Sequence, residues 1–205
     1  MTARAALAAL VATFTAVAPA LADRPASPRG LAALQVGGKA EAGGGWKGGS
    51  WVEVEYGRPL LRGRSNIFGA GADAGTMVNG GAPVWRLGAN EASRLKTEVP
   101  LQLNGKKIPA GEYALFAEIK DGAWTLIVSS QPTQGVGEGK AKGKIWGSYG
   151  YDRKLDVARA PLTLTKSDAS VEQLTIGFVD VTAAGAKLQV AWEHTVATAA
   201  ISFEK

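Results

Sequence analysis

The chain has 205 residues, of which 46% are hydrophobic and 20% charged, with 27 glycines and a formal net charge of +5. This is the composition of one globular domain: wholesale disorder needs less apolar surface and more charge, and the glycines follow no collagen-like period. Cysteine is absent and His194 is the single histidine, which excludes disulfides, thiolate metal sites, a cysteine nucleophile and a His-pair zinc site. Little room is left for a Ser–His–Asp triad, and no metal or cofactor is implied.

Residues 1–22 read as a secretory signal peptide. Arg4 supplies the basic start and Ala5–Val17 the apolar run; Pro19 breaks the helix before the small-residue cleavage site Ala20-Leu21-Ala22. That run is short for a bilayer span, and no second run of about 18 apolar residues follows, so no transmembrane segment is expected after cleavage. The expectation is an exported chain beginning at Asp23, periplasmic or secreted. A basic balance there points to anionic envelope surfaces rather than nucleic acid.

Residues 23–50 read as a Pro/Gly-rich linker with a possible edge strand at Leu31–Val36, ahead of a β domain over 51–205. From Trp51 strand signals recur. Val52, Val54 and Tyr56 face one side and Glu53 and Glu55 the other. Leu95, Thr97, Val99, Leu101 and Leu103 alternate, with Pro100 requiring an edge or a bulge. Asn104-Gly105 and Pro109-Ala110-Gly111 are turn signals. Tyr113–Ile119, Asp121-Gly122 and Trp124–Val128 spell a tight hairpin. Leu162/Leu164, Leu174/Ile176/Phe178 and Leu188/Val190/Trp192 each repeat at period 2, and Val196–Phe203 closes the series. No helical stripe appears outside the signal peptide. The expected fold is all-β, a single antiparallel sandwich of jelly-roll or Ig-like type.

Two Gly-rich stretches, Gly57–Asn90 and Ser129–Tyr151, lack strand character and are expected to be long loops; any site should involve them. Basic residues gather at Arg58, Arg62 and Arg64 and at Lys140, Lys142 and Lys144, in each case read as a solvated face. Gly43–Gly48 matches G-x-G-x-x-G without the helix that dinucleotide binding uses, and the Gly-Lys pairs at 139–140 and 143–144 lack the rest of a phosphate loop. His194 reads as a surface or core residue. Trp51, Trp124 and Trp192 are expected in the core. Trp46 and Trp146 lie in loops, either to stack on a sugar or protein or to anchor their loops.

The densest chemistry is Trp85-Arg86-Leu87-Gly88-Ala89-Asn90-Glu91, a fixed cation, an amide and a carboxylate within one turn-forming segment. With Arg64 it suggests bidentate capture of a carboxylate or phosphate. Three readings follow. A binding module would use Arg64, Arg86, Asn90, Glu91 and Trp146 to hold a small anionic ligand or glycan. A hydrolase or isomerase would use Glu91 as acid/base, with Asp73, Glu172 or Glu193 as a possible second carboxylate. In the third reading the chain is a structural or partner-binding envelope protein: the segment is architectural, with turn glycines and a buried network in which Glu91 is the internal partner of Arg86 or Arg64, and the outer surface or a partner protein carries the function.

The runs Val54-Glu55-Tyr56-Gly57-Arg58-Pro59, Gly63-Arg64, Ile67-Phe68-Gly69 and Val84–Glu91 resemble an exported bacterial family known as domain of unknown function 2911. Asn104-Gly105-Lys106, Pro109–Tyr113, Leu115-Phe116, Trp124, Trp146-Gly147, Tyr151-Asp152, Glu172 and Trp192-Glu193 extend the resemblance from Ser27 to about Phe203. It implies an exported, compact β domain with no established activity and supplies no catalytic residue. The chain departs from the pattern in its longer, Gly-rich Gly37–Gly49 and Gly69–Pro83 stretches. Leu87 also stands where a threonine is common, which removes a hydroxyl.

Overall fold

The computed structural model of the protein describes residues 26–135 and 142–204. The signal peptide expected over 1–22 and Lys140 lie outside these residues. The strands are β1 (Arg29–Val36), β2 (Lys39–Ala40), β3 (Trp46–Lys47), β4 (Ser50–Gly57), β5 (Ser93–Thr97), β6 (Leu101–Leu103), β7 (Lys106–Ile108), β8 (Gly111–Lys120), β9 (Ala123–Ser129), β10 (Asp156–Val179) and β11 (Gly185–Phe203). Among the described residues, nine of them form one antiparallel sheet in the order β1-β4-β5-β8-β9-β10-β11-β6-β7, and β2 and β3 pair separately. The sheet does not close into a barrel. The expected all-β, antiparallel architecture is thus present as one large nine-stranded sheet.

Where turn chemistry is explicit, register follows it. Asn104 and Gly105 both take positive φ, as the mirror-image two-residue turn requires, and close β6 onto β7 at Leu103↔Lys106. Asp121-Gly122 joins β8 to β9 at Lys120↔Ala123. Pro100 separates β5 from β6, which lie far apart in the sheet order, so the alternating run from Leu95 to Leu103 is two strands. Further on, strands expected to be separate are continuous. β10 joins the Leu162 and Leu174 groups across irregular pairing between Lys166 and Thr175, and β11 runs through Glu193 despite its positive φ. Such bulges bend a strand without ending it.

β10 changes partner midway. It pairs with β9 as far as Leu162↔Trp124 and with β11 from Thr163↔Thr198 onward. The two ends of the sheet thereby share one core, in which Val52, Val54, Leu95 and Leu115 pack in the same cluster as Leu101, Ile108, Leu174 and Val190. Tyr56 ties the halves directly: its hydroxyl accepts the Ile176 N–H at 2.9 Å and donates to the Ile176 carbonyl at 3.1 Å. Trp124 and Trp192 are buried as expected, but Trp51 is 44% exposed. Period 2 explains it, because residue 51 shares its face with Glu53 and Glu55, opposite Val52, Val54 and Tyr56.

β4 ends at a backbone-to-backbone contact. The Ala89 N–H donates to the Gly57 carbonyl at 3.3 Å, and a Cβ on Gly57 would run into the Ala89 carbonyl oxygen. Gly57→Ala should therefore destabilise the fold by about 3 kcal/mol, through overpacking that backbone cannot relieve. Gly45→Ala, where a Cβ meets nothing within 4 Å, should leave thermal stability unchanged. Thermal denaturation of the two variants checks the contrast.

Candidate functional site

The Trp85–Glu91 segment continues the sheet where β5 stops. Trp85 exchanges both backbone hydrogen bonds with Ala117 of β8 at 2.8 Å, just beyond the Ser93↔Leu115 pair. The chain then turns sharply, with Leu87 and Asn90 both at positive φ. Ser93 closes the turn: its N–H donates to the Arg86 carbonyl at 3.0 Å and its hydroxyl to the Leu87 carbonyl at 2.9 Å. Inside the turn, the Trp85 indole N–H donates to the Gly88 carbonyl at 3.2 Å. Leu87 is fully buried, so this position carries core packing.

The turn presents Arg86 outward. Its Nη1 donates to the Asn90 carbonyl at 2.7 Å, and its guanidinium carbon lies 4.7 Å from the Trp146 ring centre and 5.4 Å from that of Tyr149. Gly147 packs against the same group, and a Cβ there would stand 2.7 Å from Nη1. The Trp146–Tyr149 loop is itself pinned. The Ser148 hydroxyl donates to the Val84 carbonyl and the Tyr149 hydroxyl to the Gly80 carbonyl, each at 2.7 Å. At its far end, the Tyr151 hydroxyl donates to Asp156 Oδ2 at 2.7 Å, an oxygen that also accepts from Arg159 Nη1 at 2.7 Å. Burial first, and then the hydrogen bond to Asp156, pushes the Tyr151 hydroxyl well above the ordinary tyrosine range.

Arg64 arrives on the 58–68 loop, which carboxylates hold by its backbone. Glu172 accepts the Arg62 N–H at 2.9 Å, and Glu193 accepts those of Asn66 and Ile67 at 2.5 and 3.2 Å. The Arg64 guanidinium donates to the Leu61 and Leu60 carbonyls at 2.9 and 2.7 Å and stands 5.8 Å from the Trp192 ring centre. Arg64, Arg86 and Asn90 line one cleft of about 180 Å³ together with Trp85, Trp192 and Met77. Among the described residues, neither arginine has a carboxylate partner.

Of the five residues read from the sequence, Arg64, Arg86 and Asn90 share this cleft, and Trp146 adjoins it through Arg86. Glu91 does not join them. It lines a different cleft with Arg29, Glu55 and Arg94, and it pairs with neither Arg86 nor Arg64. The buried Arg–Glu network considered from the sequence is thus not assembled. Of the other carboxylates, Glu172 and Glu193 lie on paired strands and both hold the loop, and Asp73 is exposed in a 3-10 turn. Asn90 uses its amide on the Ser27 carbonyl at 3.3 Å. Met77, on the one-turn helix Thr76–Asn79, was not singled out from the sequence; an apolar side chain in a Gly-rich loop was the available signal.

Among the described residues no group of three or more His, Asp or Glu is placed to hold a metal ion, and no helix is long and apolar enough to cross a membrane. A β domain with a paired-arginine cleft on its surface is the class that fold and site define. Residues 40–201 match the family described as Protein of unknown function (DUF2911), and the chain belongs to that family. No curated protein and no solved structure matches it.

The loop anchoring can be tested without any ligand. Glu193→Ala should orphan the Asn66 and Ile67 N–H groups and cost about 1–2 kcal/mol. Hydrogen exchange should speed up at Asn66 and Ile67 while the Leu126 amide in β9 keeps its protection. Glu193→Gln, which retains one acceptor, should fall between Ala and wild type.

Proposed function

We infer that this chain is an exported binding domain that captures a small anionic group, a carboxylate, phosphate or sulfate, between Arg64 and Arg86. Export rests on the reading of residues 1–22 as a signal peptide. The observation that carries the ligand reading is that Arg64 and Arg86 line one cleft and, among the described residues, neither has a carboxylate partner. Among the described residues Arg86 commits one of its five N–H donors and Arg64 two, leaving donors for an oxyanion.

Size favours a small anion over a glycan. The cleft of about 180 Å³ lies below the range of roughly 300–1,000 Å³ usual for drug-sized ligands. Trp146, the candidate sugar platform, is 44% exposed but has Tyr149 stacked at 5.9 Å and Arg86 over its ring. Its role in this reading is to orient Arg86. The hydrolase or isomerase alternative has less support, because Glu91 lies in another cleft from the arginine meant to stabilise its anion.

Thermal shift and calorimetry with phosphate, sulfate and acetate at low ionic strength test this reading. Ligand at a hundredfold excess over Kd should stabilise the native state by about 2.7 kcal/mol. Arg86→Ala and Arg64→Ala should each remove the response, Arg86→Lys should weaken it by losing the planar fork, and Glu91→Gln should leave it intact. An Arg86→Ala protein that responds like wild type, or a wild type that responds to none of the three anions, sinks the assignment.

A further inference from the structure

A second cleft, of about 330 Å³, opens beside the tip of the β8–β9 hairpin and shares no residue with the Arg64–Arg86 cleft. It lies where β10 parts from β9: the two pair as far as Leu162↔Trp124, and beyond that β10 pairs with β11 instead. β10 runs on past the Asp121-Gly122 turn, and its Leu164, Thr165 and Lys166 line the cleft together with Lys120 and Asp121. The parted strands leave Phe68, Ile119, Trp124 and Leu164 along the cleft.

Its charged groups are not equivalent. The Lys120 ammonium lies 3.2 Å from Glu118, which Arg159 also contacts. Lys166 and Asp121 both line the cleft and are exposed, and neither has an ion-pair partner among the described residues. One uncommitted cation and one uncommitted anion thus border a cleft whose floor is the nearly buried Phe68, Ile119 and Trp124 with the half-buried Leu164. His194 completes the set. Its Nδ1 lies 2.8 Å from the Ser167 carbonyl, and because a carbonyl only accepts, Nδ1 carries the hydrogen and Nε2 of the neutral ring is left as an acceptor.

We propose that this cleft binds a zwitterionic ligand with an apolar body, namely a free hydrophobic amino acid. The ligand carboxylate faces Lys166, its ammonium faces Asp121 and His194 Nε2, and its side chain lies on Phe68 and Trp124. A plain organic acid would leave Asp121 opposed to it, and a plain amine would leave Lys166 so. The volume, at the lower end of the range for ligand pockets, suits a single amino acid. The site is independent of the anion cleft, so either assignment can fail without the other.

Isothermal titration with L-phenylalanine, 3-phenylpropionate and phenethylamine on the mature chain decides it. L-Phenylalanine should bind saturably, and each singly charged analogue at least about tenfold more weakly. Asp121→Asn and Lys166→Gln alter exposed side chains, so both variants should fold, and each should reduce L-phenylalanine affinity by about tenfold. Arg86→Ala should leave it unchanged. Absence of saturable L-phenylalanine binding, equal binding of 3-phenylpropionate, wild-type affinity in both rim variants, or loss of binding in Arg86→Ala would each overturn the proposal.

Discussion

Four aromatic rings hold together what the backbone alone joins loosely. Trp85 and Trp192 stack at 6.3 Å between ring centres with planes 16° apart, and Phe68 stands edge-on to them at 5.6 and 6.0 Å. Trp124 packs against Phe68 at 4.4 Å. The rings come from the 58–68 loop, the Trp85–Glu91 segment, β9 and β11, four stretches distant in sequence. Each such pair contributes about 0.5–1.5 kcal/mol beyond its buried area. The contribution matters most for the Trp85 segment, which among the described residues pairs with the sheet through one bridge, to Ala117. Both clefts stand on this cluster, one lined by Trp85 and Trp192 and the other by Phe68 and Trp124.

The handling of arginine differs sharply between the surface clefts and the sheet. Arg159, on β10, is half-buried and bonds two carboxylates, Asp156 at 2.7 Å and Glu118 at 2.5 Å. Partial burial favours such pairing, since withdrawing a charge from water costs less when a partner is in place. Arg64 and Arg86 are instead held by main-chain carbonyls and by aromatic faces. Carbonyls and ring quadrupoles orient a guanidinium without cancelling its charge, and a cation–π contact of this exposed kind contributes only about 0.5–1 kcal/mol. A carboxylate in the same place would have neutralised the cleft.

What the sequence made legible was whatever depends on local chemistry. The alternation in β4, the Asn104-Gly105 turn and the Asp121-Gly122 hairpin follow from side-chain period and backbone freedom at named residues. Strand continuity was not legible, because the irregular pairing around Val171 and the positive φ of Glu193 interrupt the period of two while the chain keeps its direction. In the site, the arginines were recognisable by type and clustering. The separation of Glu91 was not: it rests on Leu87 and Asn90 adopting left-handed conformations, which turn the chain so that neighbours in sequence line different clefts. The part of Trp192 beneath Arg64 needed β11 to be placed, since no spacing rule connects residues 64 and 192.

The same placement bears on what chemistry the arginine cleft can perform. Glu172 and Glu193 are the carboxylates that hold the loop carrying Arg64, and both are occupied by backbone donors: Glu172 takes the Arg62 N–H, and Glu193 takes those of Asn66 and Ile67, one on each oxygen. A carboxylate fixed in this way is taken up in positioning the loop, and turning it toward the cleft would give up the hydrogen bonds that hold Arg62, Asn66 and Ile67. With Glu91 turned into another cleft, what Arg64, Arg86 and Asn90 bring to this one is fixed N–H donors on aromatic supports. Such a set fits the oxyanion reading proposed above better than acid–base turnover, and the carboxylates beneath it keep the Arg64 loop still.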